Sequence, residues 1–197
     1  GGEIVSVRLP RYLTDGKPVE LIPAGESWSG RRMLAVSLKS ETGTLPLDGV
    51  SFDVTSSGVD LHDGSRIVIT GNSTIDVVFR AQTASGIIER TYHFRGDEFG
   101  FDASVKASDG VFAGAQDVAW TFGPGIGPTE ASVADDQMAF KACALLGGEF
   151  HRKRPAAFGH QQVDKYSATL SWATLQTKYF LAALYPDEPT RADVEMT

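Results

Sequence analysis

Apolar side chains recur at every second position through most of this chain, and that regularity limits the folds open to it. Val5, Val7 and Leu9 alternate with Ser6 and Arg8, and Val50, Phe52 and Val54 alternate with Ser51, Asp53 and Thr55. Ile75, Val77, Phe79 and Ala81 repeat the pattern, as do Phe99, Phe101, Ala103 and Val105, and again Val118, Trp120 and Phe122. Shorter runs are Leu34, Val36 and Leu38, Ile67 with Ile69, and Ile88 with Tyr92 and Phe94. A strand turns successive side chains to opposite faces, so each run offers one face to a core and one to water. Residues that tolerate positive φ stand between the runs: Asp15-Gly16, Asp48-Gly49, Asp63-Gly64, Gly71-Asn72, Ser85-Gly86, Asp109-Gly110 and Gly147-Gly148. Gly147-Gly148 predicts a tight hairpin. Strands at this spacing, without long helical periods between them, predict an all-β fold: a large antiparallel β-sandwich with little helix.

Two segments test that reading. Residues 129–134 are expected to form one helical turn, with Thr129 as N-cap and acids following. Residues 175–185 place Leu175, Tyr179 and Leu184 roughly on one helical face, yet their aromatic density and the closing Pro186 predict strand, turn and strand. With 197 residues, 42% of them hydrophobic, the chain can bury a real core. No repeat or composition break divides it, so residues 1–197 are expected to be a single domain. Residues 155–162 are the best linker candidate and are expected to be a loop.

Charge and motifs narrow the chemistry. Eighteen Lys and Arg stand against 25 acidic residues, a net charge of −7. An acidic chain without a basic stripe argues against nucleic acid and against a polybasic grip on anionic lipid. Cys143 is the sole cysteine; among Ala142, Ala144 and Leu145 it is expected to be a buried small hydrophobe. The longest apolar run, residues 180–185, falls far short of the roughly 18–20 residues of a spanning helix. His62, His93, His151 and His160 form no ligand spacing, so no metal is expected. The Gly-Pro-Gly stretch at 123–125 launches no long helix and is expected to be a turn rather than a phosphate cradle. Asp60, Asp63, Asp135 and Asp136 are expected to be solvated loop acids. No G-x-S-x-G elbow is present. Neither catalytic nor cofactor-binding residues emerge. The candidates for partner contact are Trp28, Arg31 and Arg32, in GESWSGRR, and Arg152, Lys153 and Arg154, in the one basic run.

Five segments in order carry a family resemblance: GGEIVSVRLPRY, DGKPVELIP, RTYHFRGDEFGFDASVKASDG, TFGPGIGPTE and WATLQTKYFLAALYP. The last, at residues 172–186, resembles the W-x-x-x-Q-x-K-Y-F-x-A-A-x-x-P segment of the periplasmic domain of YidC, the bacterial membrane-protein insertase. The resemblance implies an extended β-sandwich on the periplasmic side of the inner membrane of a Gram-negative cell. It implies a non-enzymatic role with no cofactor, the insertion itself falling to membrane helices outside this chain. Implied partners are the Sec translocon, its SecD–SecF accessory subunits and nascent membrane-protein segments. Sandwich edges and clefts suit an extended chain held by strand addition. Family members are expected to continue with further strands and a helix beyond this segment. The start at Gly1-Gly2 and the stop at Thr197 therefore suggest a cut fragment or a short homologue. The alternative, from another class, is a galactose-mutarotase-like sugar-binding or epimerase domain. It would need a carboxylate and a histidine in one cleft, and Glu89 and His93 share a strand face.

Overall fold

The computed structural model describes residues 1–22, 33–41, 43–112, 115–123, 125–129, 132–154 and 163–196. It is 58% strand and 6% helix, in several antiparallel sheets, as the period-two pattern predicts. Two compact units emerge: residues 1–3 with 34–121, and residues 4–33 with 122–197.

The first unit is a two-layer sandwich. One layer has β3 (Ala35–Ser40) at its centre, between β4 (Gly43–Pro46) and β10 (Ala115–Thr121). The other runs in the order β6-β5-β7-β8-β9: β5 is Asp53–Ser56, β6 Val59–Asp60, β7 Thr74–Thr83, β8 Gly86–Arg95 and β9 Phe101–Ala107. Val36 and Leu38 of β3, Leu47 of a 3-10 turn and Ile88 of β8 are buried together, with Phe52, Val105 and Trp120 packed around them. Inward residues from both layers thus meet at one core, the arrangement that lets each sheet hide its apolar face. Gly86 has no room for a side chain: a Cβ there would lie 1.9 Å from Ser108 Oγ. That hydroxyl instead accepts from Ile87 N–H at 3.0 Å. The expected turn at Asp109-Gly110 is one short helix, α1 (Asp109–Phe112).

The second unit holds the hairpin of β1 (Arg8–Thr14) and β2 (Lys17–Glu20) and a five-stranded sheet. Asp15 (φ 50°) and Gly16 (φ 73°) make the first hairpin's turn. In the larger sheet β13 (Asp164–Gln176) is central. It pairs with β11 (Lys141–Leu146) and, at two successive stretches, with β15 (Thr190–Met196) and β14 (Leu181–Leu184). The outer neighbour of β11 is β12 (Glu149–Lys153). Gly147 (φ 58°) and Gly148 (φ 83°) form the predicted hairpin between β11 and β12, in the left-handed conformation such two-residue turns need. Ala144, Leu146, Leu170 and Met196 make the buried cluster, and Cys143 is buried and free as expected. Residues 175–185 are strand, turn and strand.

Several expectations need correction. Residues 65–70 form no strand: Val68 is 70% exposed, since alternation marks faces but a strand also needs a neighbour for its backbone groups. Phe99 lies before β9 and is 93% exposed. The first strand begins at Arg8 rather than Val5. The helix is α2 (Val133–Ala139), later than predicted. Ser132 caps it, accepting from Asp135 N–H at 3.4 Å. Asp136 is therefore no solvated loop acid. It is 2% exposed, and its carboxylate accepts from Thr129 N–H at 2.5 Å.

Candidate functional site

The sequence candidates fall on different parts of the molecule. Trp28, Arg31 and Arg32 lie outside the described residues, as do residues 155–162 and Pro124. The basic run is divided by strand parity on β12. Arg152 and Arg154 are exposed. Lys153 turns inward, its side chain 14% exposed, and Nζ donates to Met196 O at 2.7 Å and lies 3.5 Å from Asp164. His151 packs its ring 4.3 Å from that of Tyr166. Lys153 therefore ties β12 to β13 and β15, while Arg152 and Arg154 are exposed.

The Glu89 and His93 pair does not converge. His93 Nδ1 is 2.6 Å from Asp76 on β7, and Glu89 sits opposite Arg80. Four residues of strand separate them by roughly 13 Å. Among the described residues no group of three or more metal-ligating side chains comes together, and no helix is long and apolar enough to cross a membrane.

Arg90, between Ile88 and Tyr92 on the inward parity of β8, was missed by the sequence reading. It is fully buried. Its guanidinium lies 5.0 Å from the Tyr92 ring and 5.4 Å from the Trp120 ring. It donates to Gly1 O at 3.3 Å, to Leu34 O and to the Tyr92 hydroxyl. Tyr92 in turn donates to Gly2 O at 2.6 Å. Burial lowers the affinity of Arg90 for its proton, opposed by Tyr92 and by the Glu3 carboxylate. Burial pushes the Tyr92 hydroxyl up to about 12 against the pull of Arg90. A Cβ at Gly2 (φ 83°) would lie 3.3 Å from Phe79. The glycines let the first residues of the chain lie flat on this aromatic and cationic floor. It is a structural clamp: carbonyls, rings and a hydroxyl surround the guanidinium.

The arrangement best suited to contact is the opposite margin of the β13 sheet. Sheet margins in the described residues are β1, β2, β4, β6, β9, β10, β12, β14 and β15. Eight of these carry a charged residue or a proline, the usual guards against unwanted pairing. Only β14, with the sequence Leu-Ala-Ala-Leu, has neither. Around it Leu181 is 57% exposed, Tyr179 61% and Tyr185 68%. Tyr12, 53% exposed, packs edge-on against Phe180 at 5.8 Å, bringing the β1 hairpin beside this margin. Lys178 Nζ lies 4.9 Å from the centre of the Tyr179 ring. The local sequence predicts this strand, but which strand is outermost depends on distant segments pairing beside it.

A family model described as the YidC periplasmic domain matches residues 1–197. The chain is 29% identical over 204 residues to the membrane protein insertase YidC of Chlorobium phaeovibrioides and 30% identical over 199 residues to that of Chlorobium luteolum. Each alignment takes in 96% of this chain and 32% of the relative. A protein of the same name from Chloroherpeton thalassium is 30% identical over 165 residues, 78% of this chain and 28% of its own. The chain thus spans about a third of the length of these relatives. No solved structure matches it.

Proposed function

The chain belongs to the YidC periplasmic domain family, and from that premise we propose that it is the non-catalytic contact domain of a membrane-protein insertase. It faces the periplasm, tethered to the inner membrane by helices outside this chain, and folds as one domain. It docks partners of the Sec translocon, including the SecD–SecF accessory subunits, or contacts translocating polypeptide, while membrane helices perform insertion. The observation that carries this reading is the match along all 197 residues. The unguarded margin at β14 supports it, because an open strand edge offers backbone hydrogen bonds to any extended chain, independent of its sequence. The exposed Arg152 and Arg154 supply a second, polar surface suited to an acidic protein patch.

The test is made in the full-length parent protein. A photoreactive amino acid placed at Arg152, Arg154 or Trp28 is expected to cross-link to Sec subunits or to a translocating chain. Cross-links to neither, together with unchanged insertion after deletion of the domain, would leave it a spacer.

A further inference from the structure

We propose that the outer edge of β14 is a strand-addition site for an extended, uncharged, apolar segment of another polypeptide, a proposal that rests on the reading above. Backbone geometry says which groups are on offer. Thr177 N–H donates to Phe180 O at 2.8 Å, closing the β13–β14 hairpin. The register then pairs Gln176 with Leu181, Leu175 with Ala182, Thr174 with Ala183 and Ala173 with Leu184. Antiparallel pairs alternate between bonded and non-bonded. Counting from the bonded pair of Thr177 and Phe180, Ala182 and Leu184 bond to β13. Leu181 and Ala183 therefore turn their N–H and C=O groups outward, to the side where no strand of the described residues pairs. Two residues offering both donor and acceptor make a short but complete template.

The side chains identify the occupant. Leu181, Ala183 and Tyr185 share one face at two-residue spacing, the period at which an added strand presents its own side chains. No charge lies within β14 to select an ionic partner, and none repels an apolar one. Tyr179 and Tyr185 flank the strand with exposed rings that bury apolar area at low entropic cost. A second copy of this chain fits less well. Four residues span roughly 13 Å, too little to bury the ~1,000 Å² that a stable interface between folded partners needs. A flexible segment, by contrast, drapes over the margin and both tyrosines at once. Segments rich in apolar residues and poor in charge are the material that a membrane-protein insertase handles, so the site has the chemistry of its client.

The probe is an acetylated and amidated eight-residue peptide of alternating valine and threonine, labelled with a fluorophore. Anisotropy with the 197-residue chain is expected to saturate. Ala183→Pro removes one outward N–H without touching the ladder to β13. It is expected to weaken binding at least tenfold while the thermal midpoint stays put. Leu181→Lys, which places a guard charge on the margin, is expected to do the same and serves if the proline variant fails to fold. No saturation with the wild type, or equal binding by both folded variants, overturns the proposal. So does a concentration-dependent dimer that Ala183→Pro abolishes, since the occupant is then a second copy. A second measurement separates this from the broader reading. In the full-length parent, deletion of the whole domain and Ala183→Pro are compared for cross-linking to a translocating chain. Loss on deletion alone sinks the β14 site and leaves the contact role standing; loss in neither sinks both.

Discussion

Replacing Arg90 with methionine tests the most heavily invested group in the fold. Methionine keeps the length and apolar bulk of the side chain and removes the charge and the donors. Three acceptors lose their partner: Gly1 O, Leu34 O and the Tyr92 hydroxyl. Hydrogen bonds from a charged group contribute about 1.5–3 kcal/mol each. Two aromatic faces at 5.0 and 5.4 Å add about 0.5–1 kcal/mol each. Against these stands the cost of keeping a guanidinium out of water, several kcal/mol, which the substitution recovers. Leaving a buried acceptor unpaired costs about 1–3 kcal/mol, and with three acceptors affected and the guanidinium's desolvation recovered, the expected net loss for Arg90→Met is about 3–5 kcal/mol. Urea unfolding at neutral pH reads it directly. The thermal midpoint is expected to fall by roughly 10 °C, at about 2–4 °C per kcal/mol for a chain of this size. A double-mutant cycle with Tyr92→Phe is expected to give a coupling of about 1–3 kcal/mol. An Arg90→Met variant within 1 kcal/mol of wild type, or more stable, would refute the argument. The arginine would then be a tolerated burial, not a clamp.

Three further outcomes are expected. Tyr92 holds its proton more tightly folded, to about 12, than unfolded, near 10.0. The unfolded chain therefore deprotonates first, and stability that is full below pH 10 is lost as pH rises toward 12, by about 3 kcal/mol. Tyr92→Phe should flatten that alkaline slope in urea midpoints, and an unchanged slope would contradict the assignment. Burial alone would raise the Glu20 carboxyl, but bonds from Ser6, Val7, Ile22 and Arg8 outweigh it and hold it below its ordinary 4.5. Its contribution is thus present above pH 4.5 and lost on further acidification, so Glu20→Gln should lower stability at pH 7 and lose less than the parent chain as pH falls below 4.5; equal acid sensitivity in both proteins would count against this. Finally, the chain crosses between the two contact units at residues 3–4, 33–34 and 121–122. One calorimetric transition is therefore expected, and two resolved transitions would mean two domains.

The fold class was legible because a period of two is a local property. It read correctly through β7, β9 and β3, and the Gly-Gly hairpin and the strand–turn–strand at 175–185 followed from local turn chemistry alone. The same rule failed at Ile67 and Phe99, where an apolar residue has the right parity but no neighbouring strand to complete its hydrogen bonds. It also concealed Arg90. Parity points that residue inward between Ile88 and Tyr92 while its charge argues outward, and only the carbonyls of Gly1 and Leu34 and the Tyr92 hydroxyl explain how burial is tolerated.

The candidate contacts divide along the same line. By itself the sequence determined the run His151 to Arg154, the uncharged Leu-Ala-Ala-Leu, the aromatic turn before it and the family. Only the tertiary structure decided that Lys153 is spent on Met196 and Asp164 while Arg152 and Arg154 are not. It alone decided that β14 is outermost. The reason is physical: a strand's faces are set by its own residues, but whether its edge is open depends on which distant segments pair beside it. Partnership in a sheet is non-local, and no window of sequence contains it.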